Sequence, residues 1–398
     1  MTTCLPFEIL TAIFEKVEDV QDLRNIRSAS RTFCAVTVHI AFRILSVKYT
    51  VESAQNLGRL FDVPEIAAYV KEVTYRDTGA EESLGEQLKL GASSPPTSHG
   101  ETILRLRVAV MSVRTSATHE LASSFSHIHQ LPQLETIDLT FYEPLLAMDG
   151  EDCPVLQRSI LVALASSFSF RAPPKLISLS LHNLRTWDLA PLECPPFQAV
   201  LKNLQRLRLS VFFDRAHNKS IALDRWSYFW GFLCTPLILA PTQHALTELT
   251  LQTKALVGAA MGLSFTGLYF PNLCVLSMRK FVFEPSVGVE PFILKHAATL
   301  ARLELISCKL LIPNDEEPGA GPTRWEHIWG SFAMGLTALV VLHVDKSSDV
   351  VKLRYVRYGP IFYRVVEAPA HLDVADAAAL DRFYVTVAAR SEEAHGAS

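Results

Sequence analysis

The sequence predicts an α/β chain: a small N-terminal helical unit, then a solenoid with short parallel strands on its concave face and helices on its convex face. Three observations lead there. Three apolar stripes at helical spacing fall within the first 45 or so residues. The pattern apolar-x-x-apolar-x-apolar then recurs seven times between Leu134 and Val344. The intervals between its copies read as helices or as turn-rich loops.

The first stripe is Ile9, Leu10, Ile13, Phe14 and Val17, with Pro6 suited to a first helical position and Glu8 to a first turn. A second helix opens at Asp19 and turns Leu23 and Ile26 inward. The third carries Phe33, Val36, Thr37 and Ile40, capped by Ser30 or Thr32. A unit of about 40 residues buries too little surface to be stable alone. Some of Leu5, Ile9, Ile13 and Phe14 should therefore stay exposed unless a partner covers them.

The run Leu5-Pro6-x-Glu8-Ile9-Leu10-x-x-Ile13-Phe14, then Asp22-Leu23, then Arg27-x-x-Ser30-Arg31-x-Phe33, resembles an F-box. The likeness spans residues 4 to about 45. It departs at Phe33, where many members carry Trp, and at Ser28-Ala29, where a Val-Cys pair is common. The resemblance implies docking onto the Skp adaptor of a cullin–RING ubiquitin ligase through Leu5, Pro6, Ile9, Leu10, Ile13, Phe14 and Leu23. Read from the residues alone, the same unit can also be a three-helix cap on the domain that follows.

The repeated motif reads Leu134, Ile137, Leu139; Leu176, Leu179, Leu181; Leu204, Leu207, Leu209; Leu246, Leu249, Leu251; Leu273, Leu276, Met278; Leu300, Leu303, Leu305; and Leu339, Leu342, Val344. Val70, Val73 and Tyr75 form a weaker, earlier copy. The last apolar positions are 42, 28, 42, 27, 27 and 39 residues apart. Spacings of 27 and 28 resemble a leucine-rich repeat with one strand and one helix per unit. The fullest copy runs from Leu300 to Leu310 and carries Cys308 at the Asn/Cys position. An ordinary α/β domain is the alternative. Domains are expected at 1–48 (helical), 49–390 (array with a C-terminal cap) and 391–398 (disordered tail).

Helices are expected at 51–61, about 119–130, 155–170, 224–233 and 373–390. The last turns Leu380, Phe383, Tyr384 and Val387 to one side and would close the open end of the array. Arg225-Trp226-x-x-x-Trp230-Gly231 recurs as Arg324-Trp325-x-x-x-Trp329-Gly330, and each tryptophan pair shares a helix face that should pack on the strands. Residues 102–113 fit strand or helix, while 91–100 and 313–322 read as exposed loops.

Chemistry is sparse. A net charge of −4 offers no basic field for nucleic acid. Seven cysteines without a C-x-x-C pair argue against zinc and against a secreted disulfide framework. No signal peptide or apolar membrane span is visible, so the chain is expected in the cytoplasm and/or nucleus. His127-x-His129 lacks a third metal ligand nearby. No nucleotide, hydrolase or metalloprotease motif occurs, so no catalytic residue, cofactor or metal is expected.

What remains is a surface. The x positions of the strands point away from the core: Thr136, Asp138, Arg206, Arg208, Glu248, Arg279, Arg302, Glu304, His343 and Asp345. Their mixed signs suit a protein ligand rather than a polyanion. Both ends together resemble the F-box/leucine-rich-repeat proteins abundant in filamentous fungi. That implies a non-enzymatic adaptor: its N-terminal helices hold the ligase and its array holds an unknown protein substrate. The alternative is a leucine-rich-repeat interaction scaffold without a ubiquitin role.

Overall fold

Each of the eight recurring copies of the apolar motif carries a strand on its second and third apolar positions. The computed structural model describes residues 7–14, 16–17, 20–77, 115–141, 152–187, 189–213, 219–312, 324–345, 355–359, 362–366 and 370–396. Residues 91–100, 102–113 and 313–322 lie outside them. The chain is mixed α/β with a 12-stranded, mostly parallel sheet. Its strands are β1 (Ile44–Lys48), β2 (Glu72–Arg76), β3 (Thr136–Thr140), β4 (Ser178–Arg185), β5 (Arg206–Phe212), β6 (Glu248–Val257), β7 (Val275–Phe283), β8 (Arg302–Ile306), β9 (Lys309–Leu311), β10 (Val341–Val344), β11 (Tyr355–Gly359) and β12 (Phe362–Val366). The order runs β1 to β7, then β9, β11 and β12, with β8 between β7 and β10. Only the β11–β12 pair is antiparallel among the pairings described.

Two compact units divide the chain, parting within β4. The first begins with α1 (Phe7–Phe14), α2 (Val20–Ala29) and α3 (Arg31–Ala41). Ser30 caps α3, its Oγ accepting the Phe33 N–H at 3.0 Å. Residues 44–48 differ from the expected helical unit, because they form β1 beside β2. The reason is legible afterwards: Phe42-x-x-Leu45-x-Val47 is itself a copy of the motif, and Leu45 and Val47 stand opposite Val73 and Tyr75. The next helix, Val51–Phe61, is capped by Thr50 and buries Ala54, Leu57 and Leu60 on one face.

The register is set by the motif. In the second unit Leu207, Leu249, Leu276, Leu303 and Leu342 stand side by side across five strands. So do Leu209, Leu251, Met278, Leu305 and Val344. The first apolar positions, Leu204, Leu246, Leu273, Leu300 and Leu339, are fully buried. A one-residue slip would turn each row to the opposite face, so burial enforces the pairing. One backbone device recurs at seven of the steps between parallel strands. The carbonyl before one strand accepts two successive N–H groups from the start of the next. Lys71 O takes those of Glu135 and Thr136, and Gln205 O takes those of Thr247 and Glu248. The same bonding joins Thr247 to Cys274 and Val275, and Cys274 to Ala301 and Arg302. These amides would otherwise be orphaned where strands emerge from turns.

Both tryptophan pairs are buried in the second unit. Trp226 and Trp230 meet edge to face at 5.9 Å, while Trp325 and Trp329 stack at 4.7 Å. The expected helix at 224–233 instead spans Lys219–Tyr228 and continues as a π-helix over Phe229–Leu239. Pro236 lacks the N–H an α-register needs, and the wider register passes it, as the Ala240 N–H bond to Thr235 O marks.

The C-terminal helix is longer than expected. It runs Ala370–Gly396 and so takes in residues 391–396, expected to be disordered. It supplies both ends of the neighbouring helix Trp325–Gly335. Asp376 Oδ1 accepts the Glu326 N–H at 2.9 Å, and Arg390 donates to Ala333 O and Leu336 O at 2.6 and 2.7 Å. Each charge complements the helix dipole at its end. No described helix is long and apolar enough to cross a membrane.

His296 ties two turns together while nearly fully buried. Its Nε2 accepts the Phe270 N–H at 3.0 Å, so Nδ1 carries the proton and donates to Phe292 O at 2.8 Å. Burial lowers its pKa below the ordinary 6.5, with Lys295 adding to that effect against the Phe292 bond. The neutral ring thus contributes stability in full above pH 6.5, and this is lost as pH falls through the lowered value. Relative to His296→Gln, the native chain should lose up to about 1.4 kcal/mol per pH unit in that window. Thermal melts between pH 7 and 5 check this; a pH-independent difference would contradict it.

Candidate functional site

The helical unit is organised by one pair of side chains on α1. Leu10 and Phe14 are one turn apart and point inward onto Leu23 and Val36, with Val17, Ile26, Phe33 and Ile40 packed around them. Phe14 meets the Phe33 ring edge-on at 5.4 Å. Ile9 and Ile13, also one turn apart, occupy the other side of α1 and remain 48% and 47% exposed. The helix is therefore apolar on two faces with only one covered.

That arrangement sorts the seven residues expected to contact a partner. Ile9 and Ile13 are available. Leu10, Phe14 and Leu23 are not, being 7%, 7% and 3% exposed in the three-helix core. Leu5 and Pro6 lie outside the described residues. Spacing at i, i+3 and i+4 places side chains on neighbouring faces, but not which face meets α2 and α3.

The outward strand positions form rows as well. On the second unit Arg206 stands opposite Glu248, and Arg302 opposite Val275 and Val341. Glu304 stands opposite Ser277 and His343, Arg208 opposite Thr250, and Arg279 opposite Gln252 and Ile306. Arg208, Arg279, Arg302 and His343 are exposed; Arg206, Glu248 and Glu304 are half-buried. Arg302 Nε donates to Glu304 Oε1 at 3.0 Å. Partial burial pushes the Glu304 carboxyl up. Hydrogen bonds from Arg302 and Ser277, with the charges of Arg302 and His343, outweigh this and hold it below the ordinary value. Asp138, on β3 of the first unit, stands half-buried opposite Thr74. The row offers charge of both signs, with the Ser277 hydroxyl bonded to the Glu304 carboxylate across β7 and β8.

His127 and His129 serve packing. They sit around the 3₁₀ turn Ile128–Gln130, not on a strand, with rings stacked at 6.3 Å. His127 Nδ1 lies 2.9 Å from Ser123 O, and His129 Nδ1 lies 3.1 Å from Ser167 Oγ. No group of three His, Cys, Asp or Glu fit to hold a metal occurs among the described residues. The Cys308 thiol donates to Met278 O on the neighbouring strand, 3.5 Å away. Desolvation pushes its pKa up to about 12, keeping the donor protonated.

Sequence reading missed a cluster past the motif in the second unit. Lys254, Lys280 and Lys309 follow Leu251, Met278 and Leu305 by three, two and four residues, and all line one cavity of about 430 Å³. Nearby, buried Glu284 accepts Tyr358 and Tyr363 hydroxyls at 2.9 and 3.2 Å, and the Ala259 N–H. Gly258 admits this contact, because a Cβ there would lie 2.3 Å from Tyr363 Oη. The available signal was three lysines at one end of successive motif copies; what hid it was their unequal offsets.

Models of known protein families give no match to this sequence, and a comparison with curated proteins gives none either.

Core and exposed positions on α1 should separate in stability. Leu10→Ala should destabilise the helical unit by about 2–5 kcal/mol through lost burial and a residual cavity. Ile9→Asp, at a half-exposed site, should cost less than about 1 kcal/mol. Urea unfolding of the two variants measures the difference, and equal losses would contradict the assigned faces.

Proposed function

We propose that this chain is a substrate-recognition adaptor of a Skp–cullin–F-box type ubiquitin ligase. Its N-terminal helices form an F-box, and the strands that follow belong to a degenerate leucine-rich-repeat array. One observation carries the reading: α1 has a second apolar face, Ile9 and Ile13, left uncovered after Leu10 and Phe14 have filled the core. An isolated exposed isoleucine is ordinary, but two on successive turns make a stripe suited to a partner helix or groove. The in-register rows of motif positions support the repeat reading, since equivalent residues of stacked repeats must meet side by side.

The burial pattern divides the labour within the motif. Leu10, Phe14 and Leu23 fix the orientation of α1; Ile9 and Ile13 present it. Covering two half-exposed isoleucines yields about 1–1.5 kcal/mol each. Micromolar affinity needs about 8 kcal/mol before association costs. By the resemblance, Leu5 and Pro6 supply further contact. The substrate would lie on the outward row of Arg206, Glu248, Arg302, Glu304 and His343, whose mixed charges suit a protein ligand. Ubiquitin transfer would take place on other subunits, with this chain bringing the substrate within reach.

The test is co-purification of the full chain with a Skp adaptor. Ile9→Asp with Ile13→Asp should reduce capture at least tenfold while leaving the melting temperature within about 2 °C of native, since both sites are half-exposed. Capture by the native chain that the double variant leaves unchanged would overturn the assignment. Loss of the adaptor with retention of other partners after removal of residues 1–45 would mark the scaffold alternative.

A further inference from the structure

We propose that the second unit holds a binding site for a phosphoryl group, in the cavity lined by Lys254, Lys280, Lys309, Ser307 and Tyr363. This stands independently of the adaptor reading.

One bulge and two turns that follow motif strands meet there. The β6–β7 register shifts between Gln252 and Val257, so Lys254 to Leu256 bulge out of the ladder and line the cavity. Lys280, two residues past Met278, takes a left-handed conformation with φ of 63°, and Ser307, two past Leu305, takes φ of 52°. Asn183, two past Leu181, does the same away from the cavity. This turn thus follows several motif strands, and at two of them it delivers a lysine and a serine to one place. Glycine would hold either conformation without cost; the chain keeps a lysine and a serine, and both line the cavity.

The charged lining residues are lysines; Glu284 lies behind Tyr363, whose hydroxyl it accepts, and Asp345 shares the adjoining cavity with Ser307 and Lys309. Lys309 is 7% exposed at the start of β9. Lys280 Nζ donates to the Lys254 carbonyl at 2.7 Å, which holds its ammonium at the rim of the bulge. Among the described lining residues there are three lysines and no carboxylate, in a chain whose net charge is −4. Each lysine also has a partner within the chain, so a ligand joins or replaces an existing contact.

The donor set selects the ligand. Three ammonium groups and a serine hydroxyl match a tetrahedral dianion with several acceptor oxygens better than a singly charged carboxylate. The volume of about 430 Å³ exceeds what inorganic phosphate fills and lies in the range of small-ligand pockets. The phosphoryl group is therefore carried on something larger, either a small molecule or a phosphorylated side chain. Phe213 and Val365 supply apolar wall for that remainder.

Calorimetric titration of the full chain at fixed ionic strength tests this with three probes: pyrophosphate, a phosphoserine pentapeptide and its unphosphorylated form. Saturable binding is expected for at least one phosphorylated probe and none for the unphosphorylated peptide. Pyrophosphate alone binding would assign a small-molecule phosphate; tighter peptide binding would assign a protein-borne one. Lys280→Gly removes an ammonium while suiting the left-handed backbone, and should weaken binding about tenfold, the loss of one charge-assisted hydrogen bond. Lys254→Gln, at the bulge, should do the same and decides the matter if Lys280→Gly fails to fold. Binding by neither phosphorylated probe, or unchanged affinity in the folded variants, would overturn the proposal.

Discussion

The strand ladder depends on a single constraint: the three apolar positions of the motif copies are buried at once, save at β10, where Leu342 and Val344 are half-buried. Two of them fall on one side of a strand because side chains alternate with a period of two. The third, two residues before the strand, anchors the turn that delivers the chain into it. Leu246, Leu249 and Leu251 are all fully buried, as are Leu273, Leu276 and Met278. Sliding one strand past its neighbour by one residue would expose two large side chains and bury polar ones. Each burial is worth about 1.5–3 kcal/mol, so this penalty exceeds what any single hydrogen bond could recover. Register follows from burial, and the paired N–H donors at those strand starts follow from register.

Polar groups then settle what the ladder leaves open. Parallel strands end in carbonyls and amides that need partners, and the chain meets this locally. Cys308 reaches Met278 O, and buried Glu284 gathers two tyrosine hydroxyls and a backbone amide. Asp376, itself buried, holds the start of Trp325–Gly335 and accepts the Tyr355 hydroxyl. These carboxylates join the C-terminal hairpin and helix to the sheet through directional contacts that an apolar edge could not supply. Where the ladder relaxes, at the β6 bulge and the left-handed Lys280 and Ser307, side chains are released from alternation and can be aimed.

The helical unit obeys a different economy of surface. Three short helices enclose room for one apolar pair from α1, and Leu10 with Phe14 occupies it. Ile9 and Ile13 are apolar for no reason internal to the described fold. This contrasts with the tryptophan pairs, equally conspicuous in sequence, which pack into the core, one pair edge to face and the other stacked. Spacing puts each pair on one helix face; burial takes the tryptophans inward, as expected, and leaves the isoleucines outside.

The sequence by itself placed the eight strands of the recurring motif, from β2 to β8 and β10. The same spacing also falls inside helices, at Phe33, Val36 and Val38 and at Leu380, Phe383 and Val385, and β11 and β12 lie past the copy that ends at Val344. It also determined the helix at Val51–Phe61 and narrowed the α3 cap to Ser30 or Thr32, both set by residues within one turn; the structure uses Ser30. It misread residues 44–48, because Phe42-x-x-Leu45-x-Val47 sat inside an assumed helical unit. Only the tertiary structure decided which face of α1 is inward, that Lys254, Lys280 and Lys309 share a cavity, and that the last helix runs to Gly396 while supplying both caps of another. The physical reason is range. Periodicity reports what a residue's own backbone does with its side chain, whereas burial on one face or convergence on one cavity depends on partners tens of residues away.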